Sequence, residues 1–455
     1  MGWVLRFVEA EADSLAAGDD VIEVSKRGPI CDIAHLGLTL AEAKQLLARV
    51  QQVVVAAQAK SYAASRPVCS SCNGRCHIHD WRPHQVATLF GVVAVRFPRF
   101  RCAGCGHHEA AAGWPSHCRS TPEMDQLRAH LSALMPYRVA ADVMMQLLPV
   151  DAGMSTETLR AHTLKVGQQL RAIVAVRPAQ AASAATVTLN STFIRGCQNG
   201  ERHLEVRVGN VETSEGGRQV FGSVARADTD IAALLRRGLA AVGRSADTAV
   251  TAFTDGCPGL RSILTEAGVT ERPIADWFHI AMRLQHAKLA ATGLSTDEPV
   301  RVQAKAAIIA EVERLRWRIW NGKAKSAKIS LDRVGKVLHA FRGERGHRRR
   351  GVPSRKLWHA LHEVNDYLRG QEAKLVNYAE RYRAGLRVGT SVTEGTANFL
   401  INRRMNKAQQ MRWSRRGADL LLQVRSDIYN RAFEPEVGNI VEPILADASQ
   451  LALAT

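Results

Sequence analysis

The stretch TVTLNSTFI, residues 186–194, decides how most of this chain is expected to fold. Positions 187, 189 and 191 alternate with 188, 190 and 192, and a period of two is typical of a β-strand. A QNG turn at 198–200 and a Gly216-Gly217 pair separate two further strand-like stretches, 203–212 and 218–226. The sequence therefore predicts three consecutive antiparallel strands, beginning near Thr186.

The residues that follow predict alternating helices and strands. We expect a helix at 230–242, a strand at 248–254 that ends in Asp255-Gly256, a helix at 258–267 and a strand at 272–276. The order is βββαβαβ, which is the topology of the ribonuclease-H-like fold, a mixed sheet covered by helices. Residues 280–385 lose all strand character and are interpreted as a basic, all-helical insertion.

The part of the chain before this sheet divides into smaller regions. Leu40, Ala43, Leu46, Leu47 and Val50 are spaced as on one side of a helix at 40–61, which is expected to pack or pair. Residues 177–185 resemble a linker, because they lack periodicity and large side chains. The predicted fold class is α/β and multidomain. Before the sheet we expect an N-terminal helical region (1–64), a zinc ribbon (65–118) and a helix-turn-helix domain (119–178). The ribonuclease-H-like core then comprises a first part (179–281), the helical insertion (282–388) and a C-terminal part with the tail (389–455).

Composition and charge narrow the class of protein. The chain of 455 residues is 46% hydrophobic and 23% charged, as globular proteins are. Its 61 lysines and arginines exceed 43 acidic residues by 18, which favours nucleic acid as a partner, although the same charge can serve solubility alone. No apolar run reaches the ~20 residues of a membrane helix, and the acidic N-terminus is unlike a secretory signal, so a cytoplasmic protein is expected.

Two CxxC pairs predict a structural zinc site. Cys69 and Cys72 are followed by Cys102 and Cys105, and four thiolates from two tight turns complete a tetrahedral shell. The odd total of nine cysteines does not suit a disulfide scaffold. Redox-active or inert buried thiols are the alternative, and rival ligands are Cys76, His77, His79, His107, His108 and Cys118.

Three helical segments between 122 and 170 are consistent with a helix-turn-helix. The third begins after a Ser155 cap, and as a recognition helix it would offer Thr156, Thr158 and Arg160 to DNA. An ordinary three-helix bundle explains the same pattern nearly as well.

Acidic residues of the predicted sheet indicate metal-dependent phosphoryl transfer. In ribonuclease-H-like nucleases, carboxylates from the first strand, the fourth strand and a late helix meet at two Mg²⁺ ions. Asp255 follows the fourth strand and Glu394 fits the late helix, while the first-strand position holds Asn190. Asp276 and His279 follow the fifth strand and are expected to support this site. Taken singly, Asp255 can be a turn residue and Glu394 a favourable helix-start carboxylate.

Several motifs together resemble the DDE transposases of bacterial insertion sequences of the Kra group, over about residues 40–430. They are NSTFIRG (190–196), RHLEVRVGN (202–210), TDGCPGL (254–260), DWFH (276–279), TEG (393–395) and MRWSRRG (411–417). The resemblance implies a bacterial, nucleoid-associated transposase that binds terminal inverted repeats and target DNA and joins DNA strands with Mg²⁺. In that family an aspartate stands at the position of Asn190.

A neutral amide is a poor substitute for a carboxylate between two dications, because it offers one weaker oxygen and no charge. We therefore expect weak binding of the second Mg²⁺ and severely impaired strand transfer. A non-catalytic DNA-binding protein, a repressor or targeting factor on the same scaffold, is the alternative. A nuclease acting on RNA or branched DNA would share the fold.

Basic clusters predict contacts with DNA phosphates, with a solvated basic face as the alternative. One cluster, in a glycine-containing loop, comprises Arg342, Arg345, Arg348, Arg349 and Arg350, and the other, after Glu394, comprises Arg403, Arg404, Lys407, Arg412, Arg415 and Arg416. Trp317, Trp320 and Trp358 are expected to pack in a core rather than to stack on bases. Pairing of two element ends favours a homodimer or a higher assembly.

Overall fold

The computed structural model describes residues 2–6, 21–25, 37–109, 119–150, 154–172, 180–198, 200–341, 352–390, 395–406 and 411–430. Predicted site residues outside this part are Cys118, Arg342, Arg345, Arg348, Arg349, Arg350, Glu394 and Lys407. The described residues form two compact units that meet in the sequence between Gln169 and Leu170. Each unit is treated by itself below.

The first unit begins with an antiparallel pair, β1 (Gly2–Arg6) and β2 (Val21–Ser25), followed by helix α1 (Leu40–Ser65). Thr39 and Glu42 form a capping box that fixes the start of α1 where the sequence predicted it. The helix continues four residues past the predicted end at 61. Its residue Ala59 packs with Val95 and Phe97 of the neighbouring sheet.

That sheet has three antiparallel strands, β3 (Cys76–Thr88), β4 (Gly91–Cys102) and β5 (His108–Glu109). The tight turn between β3 and β4 requires Gly91, whose φ of +114° is unfavourable for residues with a Cβ. The three predicted helices follow as α2 (Pro122–Leu134), α3 (Tyr137–Leu147) and α4 (Thr156–Ala172). The Ser155 hydroxyl accepts from the N–H of Thr158 at 3.1 Å, as a cap of α4 should.

The second unit contains the mixed sheet that the sequence predicted. Its strands are β6 (Ala184–Arg195), β7 (His203–Thr213), β8 (Arg218–Val224), β9 (Ala249–Thr254) and β10 (Ile274–Ala275). They lie in the order β10-β9-β6-β7-β8. The consecutive strands β6, β7 and β8 pair antiparallel, and β9 and β10 run parallel to β6. The last strand is shorter than predicted, with two residues.

Helices cover both faces of this sheet. One face, with Val187, Leu189 and Ala252, packs against α5 (Ile231–Ala241) and α6 (Pro258–Glu266). On the other face, Phe253 and Ile274 pack against the insertion. The described helices of the insertion are α7 (Trp277–Thr292), α8 (Pro299–Trp320), α9 (Ala324–Val337), α10 (Pro353–Gln371) and α11 (Tyr378–Arg383), so its helical character is confirmed there.

The chain then returns to the sheet. A π-helix spans Asn398–Asn406, and α12 (Arg415–Tyr429) lies over β8, where Gln423 donates to the carbonyl of Gly222 at 3.0 Å. Across the parts of the chain that the structure describes, every helix is too short or too polar to cross a membrane.

Candidate functional sites

Four cysteines of the first unit form a group that could hold a metal ion. The Sγ atoms of Cys69, Cys72, Cys102 and Cys105 all lie within 4.8 Å of one another. The closest pairs are Cys72 with Cys102, at 3.4 Å, and Cys69 with Cys105, at 3.6 Å. Four converging thiols suit a closed, structural zinc site.

Two similar backbone turns bring these thiols together. In the first, the N–H of Asn73 donates to the carbonyl of Cys69 at 2.9 Å, and Asn73 has a φ of +55°. In the second, the N–H of Gly106 donates to the carbonyl of Cys102 at 3.1 Å. A Cβ on Gly74 would lie 3.1 Å from the Cys102 sulfur, so glycine leaves the sulfurs room. The turns thus explain why both CxxC pairs are followed closely by glycine.

The distances between the sulfurs, and not their pKa values, separate these ligands from their rivals. Backbone N–H groups of Cys105 and Gly104 hold the pKa of the Cys102 thiol well below its usual range, as suits a thiolate ligand. Burial raises the pKa of the Cys69 thiol within the group and of the Cys76 thiol, which lies outside it. His107 lies 3.8 Å from Glu109, and the rings of His79 and His108 contact each other at 4.9 Å. These rivals therefore make other contacts within the described residues.

In the second unit, three polar residues form a row at the carboxyl edge of the sheet. The register pairs Leu189 with Thr254, and Thr254 with Ala275. The next residues on these three parallel strands are Asn190, Asp255 and Asp276, which we call the edge row. Because side chains alternate between the faces of a strand, the edge row lies on the face that carries Thr188, Phe253 and Ile274. Sequence positions 190 and 255, predicted to meet, are thus neighbours.

The edge row continues a polar strip on the same face of the sheet. Thr188 lies opposite Asn210, and both are about 99% buried. The Nδ2 of Asn210 donates to Glu212 Oε1 at 2.6 Å, and the guanidinium of Arg387 pairs with the other oxygen of Glu212. The helix α12 and the insertion cover the two ends of this face, so the polar strip lies between them. Buried polar residues on one sheet face cost free energy and often mark function.

Asn190 and Asp255 bond to the backbone next to them. Asn190 is 5% exposed, and its Oδ1 accepts from the N–H of Ser191 at 2.7 Å. Asp255 is half-buried, and its Oδ1 accepts from the N–H of Cys257 at 2.8 Å. Of the two, only Asp255 is a carboxylate that can bind a hard dication strongly.

Asp276 connects both ends of the insertion. Its carboxylate is fully buried and caps α7 by accepting from the N–H of Phe278 at 2.8 Å. It also accepts from the N–H of Thr390, at 3.0 Å, and from the hydroxyl of Thr390. His279 lies 3.7 Å from the same carboxylate. Asp276 therefore has a positioning role, since it fixes Thr390 beside the edge row, four residues before Glu394 in the sequence.

Helix α10 of the insertion covers the turn that carries Asp255. Gln371 donates to the carbonyl of Gly256 at 3.2 Å and accepts from Lys374 at 2.8 Å. Burial raises the pKa of Tyr367 to about 12, and the carboxylates of Asp276 and Asp255 act in the same direction. The guanidinium of Arg283 lies 4.1 Å from the centre of the Tyr367 ring. Sequence reasoning missed these residues because they belong to no motif and are brought there by tertiary packing.

The residues predicted to read DNA differ in the contacts that their side chains make. Thr156 is exposed at the start of α4, whereas the hydroxyl of Thr158 lies 2.9 Å from the capping hydroxyl of Ser155. Arg160 is exposed and forms an ion pair with Glu157 at 2.7 Å. A surface pair of this kind is weak, so Arg160 can exchange Glu157 for a phosphate.

The basic cluster around the start of α12 contains both exposed and internal arginines. Arg403, Arg412 and Arg416 are exposed. Arg404 is 3% exposed and lies over the ring of Trp413. Arg415 pairs with Glu201 at 2.6 Å and donates to the carbonyl of Ala225. It also borders a cavity of about 530 Å³ whose other basic lining residues are Arg202, His203 and Arg226.

The expectation that all three tryptophans pack in a core is wrong for two of them. Trp320 lies 4.7 Å from Trp277 and packs against the core of the insertion. Trp317 is 58% exposed, and Trp358 is 42% exposed with the guanidinium of Arg355 at 4.5 Å. At Trp358 this cation over the ring face compensates in part for the exposure.

Comparison with models of protein families gives no match to this chain. Comparison with curated proteins gives no match either. The function has therefore to be argued from the geometry of the two sites.

Proposed function

We propose that this chain is an insertion-sequence transposase of the DDE type, built on a ribonuclease-H-like core and carrying an amide at its first metal-ligand position. The observation that carries the proposal is the edge row, in which Asn190 and Asp255 follow paired residues of adjacent parallel strands. The order of three antiparallel strands followed by two parallel ones supports the same fold.

The first unit would supply binding to DNA. The four cysteines fit a structural zinc that holds the β3-β4-β5 sheet as a zinc ribbon, and α2 to α4 fit a helix-turn-helix. A formal charge of +18 suits a polyanionic partner such as the terminal repeats and target DNA. In this assignment the zinc ribbon and the helix-turn-helix share one role, the binding of DNA.

The edge row fits a two-magnesium centre only in part. Bound Mg²⁺ would activate the attacking oxygen and stabilise the leaving oxygen of the DNA strand. Asp255 offers one carboxylate, Glu394 would offer a second, and Asn190 leaves the set one negative charge short. Losing several kcal/mol of electrostatic stabilisation slows a reaction by orders of magnitude. We therefore expect strand cleavage to be slower by about 100-fold or more than with an aspartate at position 190.

Asn190 also favours a second candidate function. A repressor or targeting factor needs the DNA-binding modules and the scaffold, but it does not need a complete set of carboxylates. In that case the aspartate variant would bind DNA as the natural chain does and would still not cleave it.

The test compares the chain with Asn190→Asp on duplexes taken from the DNA on either side of its gene. Both proteins are incubated with Mg²⁺ or Mn²⁺, and nicked and joined products are measured. The double variant Asn190→Asp, Asp255→Asn is the matched control. It adds a carboxylate at position 190 and removes the one at position 255, so the total charge of the pair is that of the parent. Gain of nicking in Asn190→Asp alone supports the transposase. Equal nicking in the chain and Asn190→Asp contradicts the role of Asn190, and no nicking in either with retained DNA binding favours the repressor.

A further inference from the structure

Helix α1 carries an apolar seam, and three of its four large side chains are exposed among the described residues. The seam consists of positions 40, 43, 47, 50, 54, 57, 61 and 64, occupied by Leu, Ala, Leu, Val, Val, Ala, Ser and Ala. Leu40 is 52% exposed, Leu47 41% and Val54 43%, although a protein normally buries the apolar side of a helix. No ionisable residue interrupts the seam.

The side of α1 that packs against its own sheet is a different one. Ala59, Val55 and Tyr62 contact Val95 and Phe97 of β4, and Gln52 donates to the carbonyl of Ala94 at 3.1 Å. On a helix with ~100° per residue, these positions are centred about 140° from the seam. The seam is therefore an additional apolar surface and not the edge of the existing contact.

The spacing of the seam identifies what can cover it. Residues 40, 47 and 54 repeat every seven positions, and 43, 50 and 57 repeat between them, which is the a and d pattern of a coiled coil. A strict repeat of seven keeps two helices in contact only if they wind around each other, so another helix with the same repeat is the matching partner. A second copy of α1 has that repeat by definition.

We propose that this seam joins two copies of the chain in a parallel, two-stranded coiled coil. In a parallel pair in register, Lys44 of one copy faces Thr39 of the other, and Lys60 faces Ser65, so no like charges meet. Lys44 is moreover tied to its own unit by donating to the carbonyl of Met145 at 2.8 Å. The parallel arrangement thus avoids pairs of like charges along the whole helix.

The length of the helix sets the strength of this pairing. The 26 residues of α1 extend about 39 Å at ~1.5 Å per residue. About half of them would contact the partner, fewer than the ~20–30 residues per side of an interface of standard size. We therefore expect a concentration-dependent dimer with a dissociation constant of about 10⁻⁶ M. The dimer does not depend on the chemistry proposed for the edge row.

Sedimentation equilibrium of the full chain, Leu47→Glu and Gln45→Glu tests the proposal. Leu47→Glu puts a carboxylate into the seam and should weaken dimerisation more than about 100-fold, because an unpaired charge is costly to bury. Gln45→Glu adds the same charge on an exposed position of the opposite side and should leave the dimer unchanged. Circular dichroism and the zinc content of both variants confirm that they are folded.

A second variant establishes the direction of the helices. Val50→Cys lies at a d position, so oxidation should link residue 50 of one copy to residue 50 of the other in a parallel coil, as peptide mapping by mass spectrometry would show. A chain that stays monomeric at 50 times the expected dissociation constant, ~50 µM, overturns the proposal. So does a Leu47→Glu variant that dimerises like Gln45→Glu, and linkage of the introduced thiol to other positions overturns the parallel orientation.

Discussion

The carboxylate of Asp276 accepts hydrogen bonds from Phe278, in the first turn of α7, and from Thr390, which follows the predicted insertion. Phe278 and Thr390 are separated by more than one hundred residues of sequence, yet both N–H groups reach one side chain. Because this carboxylate is fully buried, its bonds cannot be replaced by water. The insertion is thereby closed at the edge of the sheet where Asp255 lies.

Gly389→Ala should destabilise this closure. A Cβ at this position would lie 2.5 Å from Asp276 Oδ1 and 3.2 Å from the N–H nitrogen of Phe278, so the chain or the carboxylate would have to move. We expect a loss of about 1–3 kcal/mol in the free energy of unfolding, as for other overpacked sites. Urea denaturation followed by circular dichroism measures it.

Gly370→Ala is the matched control for this prediction. Gly370 lies within α10, and a Cβ there meets open space, so the substitution should be neutral or stabilise by up to ~1 kcal/mol. An equal loss of stability in both variants would show that the contact with Asp276 is not what excludes a side chain at 389.

At the scale of single elements, the two turns that carry Cys69, Cys72, Cys102 and Cys105 allow a test of the proposed zinc ligands. Cys102→Ser removes one of the four thiols, while Cys76→Ser removes a neighbouring buried thiol that lies outside the group. We expect one zinc per chain in Cys76→Ser and less than about one tenth of that in Cys102→Ser, because a closed site needs all four ligands. Elemental analysis after gel filtration gives the ratio, and equal zinc in both variants would refute the assignment.

Helix α12 carries a titratable group that makes stability depend on pH. Burial raises the pKa of Asp427 from 3.8 to about 6, while Arg237 acts in the opposite direction. A carboxyl with a higher pKa in the folded state binds its proton more tightly there, so this group's contribution to stability is present below pH 4 and is lost as pH rises through 6.

Asp427→Asn should remove that pH dependence. The two pKa values correspond to at most about 3 kcal/mol, and since the residue is half-buried we expect the variant to gain about 1–2 kcal/mol relative to the parent when the pH is raised from 5 to 8. Urea unfolding at both pH values measures the gain. Asp247→Asn, at an exposed position, is the control for the substitution itself. A constant difference for Asp427→Asn would contradict the expectation.

The helices and strands that the sequence predicted well are those whose bounds depend on interactions between residues close to each other in the chain. The period of two in 186–194, the Asp-Gly turn after 254 and the capping residues Thr39 and Ser155 all act within a few residues, so their structures follow from neighbouring chemistry. The short strand Ile274–Ala275 was predicted too long, because its length is set by where β9 ends and α7 begins.

Side chains that reach the edge row from the insertion could not be predicted in this way. Tyr367 and Gln371 lie about one hundred residues from Asp255 in sequence, and Arg283 lies beyond the DWFH motif on α7. Only the packing of α7 and α10 brings these three side chains together. The same limit explains the two exposed tryptophans, since the apolar spacing of a helix does not tell which of its sides another helix will cover. Asn190 and Asp255, in contrast, were predicted from the order of strands.

Over the whole molecule, the formal charge of +18 comes from basic residues with different roles. The arginines around α12 include both exposed and buried ones, so they allow these roles to be told apart. The exposed residues Arg403, Arg412 and Arg416 are accessible to phosphates, whereas Arg404 is buried over Trp413. In the triple variant with glutamine at 403, 412 and 416, the slope of log affinity for a 30-base-pair duplex against log salt should become shallower by up to about 3, since each phosphate contact contributes ~0.9. Arg404→Gln should leave the slope unchanged and lower the melting temperature instead, because it removes internal contacts. Fluorescence anisotropy between 50 and 200 mM salt gives the slopes.

Two outcomes would contradict this expectation. An unchanged slope in the triple variant would mean that this surface does not bind DNA. A shallower slope in Arg404→Gln would mean that burial does not distinguish the arginines that bind DNA from those that do not.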